Sequence, residues 1–480
     1  MRGETKNGME QTLLKKVRDG FTLTFREQIL LVVMLSIPAI LAQISSIIMQ
    51  YIDASMVGRL GAGASAAVGL VSTTTWLTGG LCNSVAIGFT VRVAHRIGAK
   101  DEKKARETVR YGLVTAFLFS LALMTVIVLI HRHLPVWLGG SEEIRENAAR
   151  YFLIYGCTLP LMQLNLSAGG MLQSSGDMRT TGFLHILMCF LDVVFNYFLI
   201  FPTRTVQLFG HAFRMPGAGL QVTGAALGTL LAVLCSALLM LRHLLFVSPP
   251  LRLRREEKYR FRRKDITDDL KISFPVMISS VIMGFAYVAG TRIVAPLGTI
   301  AIAANSFAVT AESLCYMPGY GIGAASTTVV GQAKGAGRRD LSGRLGWLSV
   351  ALGALSMAVM AVFLYFMAPV MLQLLTPDPQ VRAAGVQVLR IIAFAEPLYG
   401  ASIVTEGVFR GLGRTRIPTV LNLVSMWCVR IPLSVLLARR MGLPGVWTAQ
   451  CIELCFRGTI YLTALRLTGR QTDRGRNSLL

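Results

Sequence analysis

The sequence predicts an all-α membrane protein with twelve transmembrane helices in two pseudo-symmetric six-helix bundles. Three observations carry that prediction. Of the 480 residues, 53% are hydrophobic and only 15% charged, too apolar a balance for soluble domains. Twelve mainly apolar stretches are each long enough to cross a bilayer core, for which about 20 helical residues suffice. An offset of 237 residues then lays the first six stretches on the last six.

The stretches fall at 29–57, 64–88, 109–130, 148–172, 181–201 and 222–247, then at 272–295, 300–331, 346–367, 382–410, 417–438 and 443–468. Residues 1–28 carry charge and lead into an apolar run too long for a signal-peptide core, so the first run reads as a retained helix behind an N-terminal tail. The expected domains are that tail, a bundle over 29–247, a basic linker over 248–271, a bundle over 272–468 and a tail over 469–480. Eight cysteines lie within apolar segments, none in a CxxC pair, and read as small hydrophobes rather than metal ligands.

The net charge of +23 has a membrane explanation. With the N-terminus in the cytoplasm, 35 Lys and Arg fall in the tails, the even-numbered connections and the span ends beside them, against nine on the other side. That asymmetry follows the positive-inside rule and places both termini in the cytoplasm of a cell (inner, plasma) membrane protein. No aromatic-basic surface domain is present to support nucleic-acid binding, and the lipid bilayer is the partner the charge implies.

Within the repeat, Pro38 meets Pro275, Leu60-Gly61 meets Leu297-Gly298, and Gly98-Ala99 meets Gly335-Ala336. Pro160-Leu161 meets Pro397-Leu398, and Gly176 meets Gly413. Six spans per repeat give both halves the same topology about an axis along the membrane normal, an arrangement suited to rocking one half against the other.

The two repeats, Pro38 followed by Asp53 in IMQYIDASMVGRLG, and the glycine-rich SAGGMLQSSGDMRT and TEGVFRGLGRTRIPTV resemble the multidrug and toxic compound extrusion (MATE) transporters. The resemblance covers nearly the whole chain. It implies a V-shaped pair of bundles that exports drug-like cations in exchange for protons or sodium ions, with no cofactor. One departure concerns the fifth span. Relatives that couple through the first bundle often carry Asn, three residues, then Asp, whereas here Asp192 precedes Asn196. The pair still shares one helical face, which predicts a surviving site of altered geometry.

Intramembrane polar residues supply the candidate ion-coupling and substrate positions. Gln43, Ser46, Gln50 and Asp53 form a polar stripe on the first span. Gln and Ser also serve as interhelical glue, but a carboxylate at a helix centre costs about 3 kcal/mol on insertion scales and is usually kept for a site. Asp192 and Asn196 form the second group, and sodium, if it is the coupling ion, would bind at Asp53, Asp192 and Asn196. An aspartate that exchanges a proton near neutral pH needs roughly 4 kcal/mol of bias, which partial burial supplies. Pro38 leaves one backbone hydrogen bond unmade and provides a place for the first span to change its bend.

In the second half, Glu312 with Tyr316 resembles a cation-binding corner, with pairing of Glu312 to Arg430 the equal alternative, and Glu396 precedes Pro397. Glu406 reads as a cytoplasmic-end ion pair, Glu453 with Arg457 as a structural one, and His185 as an interfacial histidine. A flippase for a lipid-linked saccharide would line its cavity with basic residues, yet apart from those at span ends only Arg292, Arg390, Arg430 and Arg457 fall within the membrane. An intramembrane enzyme would need a nucleophile, paired-Asp or metal motif, and none is present, nor is a nucleotide-binding loop. The expected protein is a monomeric, ion-coupled exporter of cationic small molecules.

Overall fold

The computed structural model describes residues 2–208, 211–254, 257 and 263–477. The chain folds as α1 (Arg2–Asp19), α2 (Phe25–Gly58), α3 (Ala62–Gly98), α4 (Glu102–Ile130), α5 (Leu134–Trp137), α6 (Glu142–Ser175), α7 (Met178–Ile200), the strands β1 (Pro202–Leu208) and β2 (His211–Ala218), and α8 (Gln221–Arg242). There follow α9 (Arg263–Val294), α10 (Thr299–Gly335), α11 (Arg339–Leu375), α12 (Pro379–Ala393), α13 (Glu396–Gly411), α14 (Arg416–Leu423), α15 (Ile431–Met441) and α16 (Leu443–Asn477). The twelve spans correspond to α2, α3, α4, α6, α7, α8, α9, α10, α11, the α12–α13 pair, the α14–α15 pair and α16. The basic block 252–264 lies partly outside the described residues.

By length and hydropathy, nine helices among the described residues qualify to cross a membrane, or ten with α12–α13 counted as one span. The exceptions, α6 and α16, carry Gln163 and Asn165 or Glu453 and Arg457, all buried in the protein, where lipid solubility is not required.

Several elements depart from the sequence reading. Within the expected tail, α1 buries Leu13, Leu14 and Val17. Helix α2 begins in a capping box: the Thr24 amide donates to Glu27 Oε2 at 2.8 Å, and the Glu27 amide donates to Thr24 Oγ1 at 3.3 Å. The connection after α7 pairs β1 with β2 as an antiparallel hairpin. The expected span 382–410 is bent by 61° between α12 and α13, because Pro397 cannot donate to the carbonyl of Ala393. A π-helical turn over Val424–Arg430, followed by Pro432, joins α14 to α15.

Two compact units divide the chain. The first contains Met1–Ile44, Ala94–Asp101 and Lys271–Leu480; the second contains Ser45–Val93 and Glu102–Leu270. In the first unit, Leu364, Leu372, Val388, Leu389 and Trp447 belong to one buried cluster. The last turns of α3 cross the end of α10 there in a reciprocal way. A Cβ on Gly98 would lie 2.1 Å from the Gln332 carbonyl oxygen, and one on Gly335 would lie 2.0 Å from that of His95. Both contacts exchange partners under the offset of the repeat, so the sequence symmetry reappears as a packing symmetry.

In the second unit, Phe152, Leu159, Ile127 and Val71 belong to one buried apolar cluster. The chain beyond α8 is held to α4 by polar contacts. Arg106 donates to both oxygens of Glu257 at 2.9 and 2.5 Å, and the Tyr111 hydroxyl donates to Asp269 at 2.5 Å.

Candidate functional site: two buried acidic clusters

The second unit brings three predicted residues together. Asn196 Nδ2 donates to Asp53 Oδ1 at 2.9 Å and to Asp192 Oδ2 at 3.0 Å. A side-chain amide has two N–H groups, and each carboxylate takes one. The accepting oxygens therefore lie within about 6 Å of each other, a range in which two like charges repel unless a cation neutralises one. Asp192 and Asn196 are buried on α7, one turn apart, while Asp53 on α2 is half-buried. Asp192 Oδ1 and Asn196 Oδ1 make no hydrogen bond.

What fixes the amide is close packing of α7 on α8. A Cβ at Gly228 would lie 2.0 Å from Asn196 Oδ1, so only glycine leaves room for the amide. Tyr151 on α6 stands within electrostatic range of both aspartates and was not singled out from the sequence. Gln50, expected to join this group, is exposed and makes no hydrogen bond among the described residues. Pro38 lies inside α2, which continues through it, and the nearby Ser36 hydroxyl donates to the Val32 carbonyl at 2.7 Å.

The first unit holds the other cluster. Arg430 Nη2 donates to Gln450 Oε1 at 2.6 Å, and Gln450 Nε2 donates to Glu312 Oε1 and Oε2 at 3.2 and 3.4 Å. Gln450 thus stands between the two groups that the sequence offered as a direct pair. Glu396, at the first position of α13, is fully buried, interacts electrostatically with Glu312, and has no hydrogen bond at either carboxylate oxygen. Tyr316 lies one turn from Glu312, with its ring centroid 5.7 Å from Tyr399 and 5.9 Å from Tyr320. The rings meet edge to face beside the acidic pair.

Two further buried or half-buried carboxylates are paired. Glu453 accepts from Arg457 Nε at 2.7 Å and from Ser425, all three buried. Glu406 pairs with Arg410 in the glycine-rich segment. His185 is half-buried against Gly169.

Comparison with known proteins identifies the family and the fold. The MatE family profile matches residues 38–198 and 275–436, two segments that begin at the prolines aligned by the repeat. The chain belongs to the MATE family. It is a multi-pass membrane transporter rather than an enzyme. A probable multidrug resistance protein NorM from Thermotoga maritima is 24% identical over 436 residues, covering 89% of this chain and 90% of that protein. The protein of the same name from Brucella suis is 27% identical over 430 residues, covering 85% and 86%.

Solved structures share the MATE fold. An outward-facing multidrug resistance MATE transporter superposes with a TM-score of 0.85 at 20% identity, covering 95% of this chain and 98% of that one. A MATE protein in a straight conformation gives 0.84 at 20% identity, covering 92% and 96%. One in a bent conformation gives 0.83 at 20% identity, covering 96% and 98%.

Proposed function

We propose that this MATE transporter is a proton-coupled antiporter that exports amphipathic organic cations across the plasma membrane, as a monomer with both termini in the cytoplasm. The observation that supports this most is the single amide of Asn196 shared by Asp53 and Asp192. With both carboxylates ionised the cluster attracts positive charge, and loading a cation from outside removes that attraction. The amide's N–H groups occupy the gap that a sodium ion would share with the carboxylates. A proton needs no coordination shell, which favours it over sodium.

Alternating access then follows from rocking the repeats 29–247 and 272–468 against each other, with Pro38 letting α2 change its bend. Glu312, Tyr316 and Glu396 offer a carboxylate and aromatic surface for the cationic substrate. The names of the NorM relatives agree with drug efflux. Dye efflux from inverted vesicles, with proton and sodium gradients imposed separately, tests the reading. A proton gradient alone should drive efflux; efflux driven only by sodium would overturn proton coupling.

A further inference from the structure

The first unit contains a second feature that the transport reading does not use. An open groove of about 1320 Å³ runs beside the start of α11, well above the ~300–1,000 Å³ of a small-molecule cleft. Arg339, Arg344 and Arg414 line it, all exposed, with no ion pair among the described residues. Lys334 also lines it, but its ammonium donates to the Leu412 carbonyl. Asp340 is the carboxylate in the lining. The apolar part includes Phe25, 69% exposed, and Trp347, 42% exposed, with Leu348 alongside. A groove lined by two exposed aromatic side chains and three guanidiniums without ion pairs among the described residues is suited to an amphiphile with an anionic head.

We propose that this groove binds an anionic phospholipid of the cytoplasmic leaflet. The headgroup phosphate lies among Arg339, Arg344 and Arg414, and the acyl chains lie along Phe25, Trp347 and Leu348. The groove sits at the basic end of the spans, where anionic lipid concentrates and where tryptophan favours the interface. Its charge disfavours the cationic substrates assigned to the acidic clusters, so the groove is not a vestibule for them. Guanidiniums in a fork geometry take phosphate oxygens two at a time, which zwitterionic lipid, with its own ammonium, satisfies less well.

Tryptophan quenching in detergent micelles tests this with the full chain. The probes are phosphatidylglycerol and phosphatidylcholine carrying the same brominated acyl chains, and Trp347→Phe isolates the signal of one tryptophan among five. Phosphatidylglycerol should quench the Trp347 component at a mole fraction on the order of tenfold lower than phosphatidylcholine, and added salt should weaken the preference. The combined variant Arg339→Gln, Arg344→Gln, Arg414→Gln should abolish the preference, and each single variant should reduce it if the triple one fails to fold.

Millimolar inorganic phosphate should leave the preference in place. Equal quenching by the two lipids, no Trp347-dependent quenching, or a preference that survives loss of the arginines would overturn the proposal. Displacement of the lipid by inorganic phosphate would assign the arginines to a free anion and overturn it as well.

Discussion

The two acidic clusters differ in what neutralises them. Around Asp53 and Asp192 the partner is a neutral amide, Asn196, which stabilises both carboxylates and cancels neither charge. Around Glu312 a guanidinium is present, but Gln450 stands between it and the carboxylate. A cluster without a built-in cation must acquire one from solution, whereas one with Arg430 nearby is already partly compensated. The proposed division of labour, coupling by the aspartates and substrate contact by the glutamates, rests on that difference.

The most severe test is Asp53→Asn, which should reduce gradient-driven efflux to background while leaving the protein folded and in the membrane. Normal efflux by a well-expressed variant would remove the distinction between the clusters. Next in size is the order of residues on α7. Asp192→Asn alone should lose coupled transport, while Asp192→Asn with Asn196→Asp should keep a substantial part, because a carboxylate and an amide still face Asp53 one turn apart. Equal rates for the single and double variants would take α7 out of the coupling site.

A smaller effect is expected at Gly228. Its replacement by alanine forces Asn196 Oδ1 to move and should cut efflux by up to about a hundredfold, the penalty for displacing a positioned group by ~1 Å. Unchanged rates in vesicles would show that the amide bridge is dispensable. The mildest change should be Gln450→Leu, which leaves Arg430 and Glu312 without their shared partner. It should cost about 1–3 kcal/mol of thermal stability and shift apparent substrate affinity without altering the proton requirement. A lost proton requirement would put coupling in the first unit.

Much of this fold is readable in the chain because a bilayer imposes a simple rule on it. Spans must be apolar and about 20 residues long, and a duplicated set keeps its turn glycines. Gly176 and Gly413, aligned by the repeat, both sit at positive φ, 101° and 65°, where a side chain would be strained. Elements outside the spans escape that rule. The packing of Leu13, Leu14 and Val17 in α1 depends on tertiary partners, and the bend at Glu396 depends on how the chain resolves a proline that α6 accommodates at Pro160 without breaking.

Within the spans, charge is the legible signal, and the carboxylates it marks cluster in pairs, Asp53 with Asp192 and Glu312 with Glu396. Gln450 is neutral and carries no such signal, although Gln450, Glu453 and Arg457 share a helical face much as Gln50 and Asp53 do. The same periodicity places Gln50 beside Asp53 without joining it to the hydrogen-bonded group, since a stripe defines a face and not which of its members reaches a partner on another helix.

Proton exchange on substrate binding tests the central claim most directly. Purified protein in weakly buffered detergent solution, with a pH indicator, should release protons when a permanently charged cationic dye is added, and so should Glu396→Gln. Asp53→Asn should bind the dye and release none. Proton release by Asp53→Asn equal to that of the unaltered protein, or its loss in Glu396→Gln alone, would contradict the account.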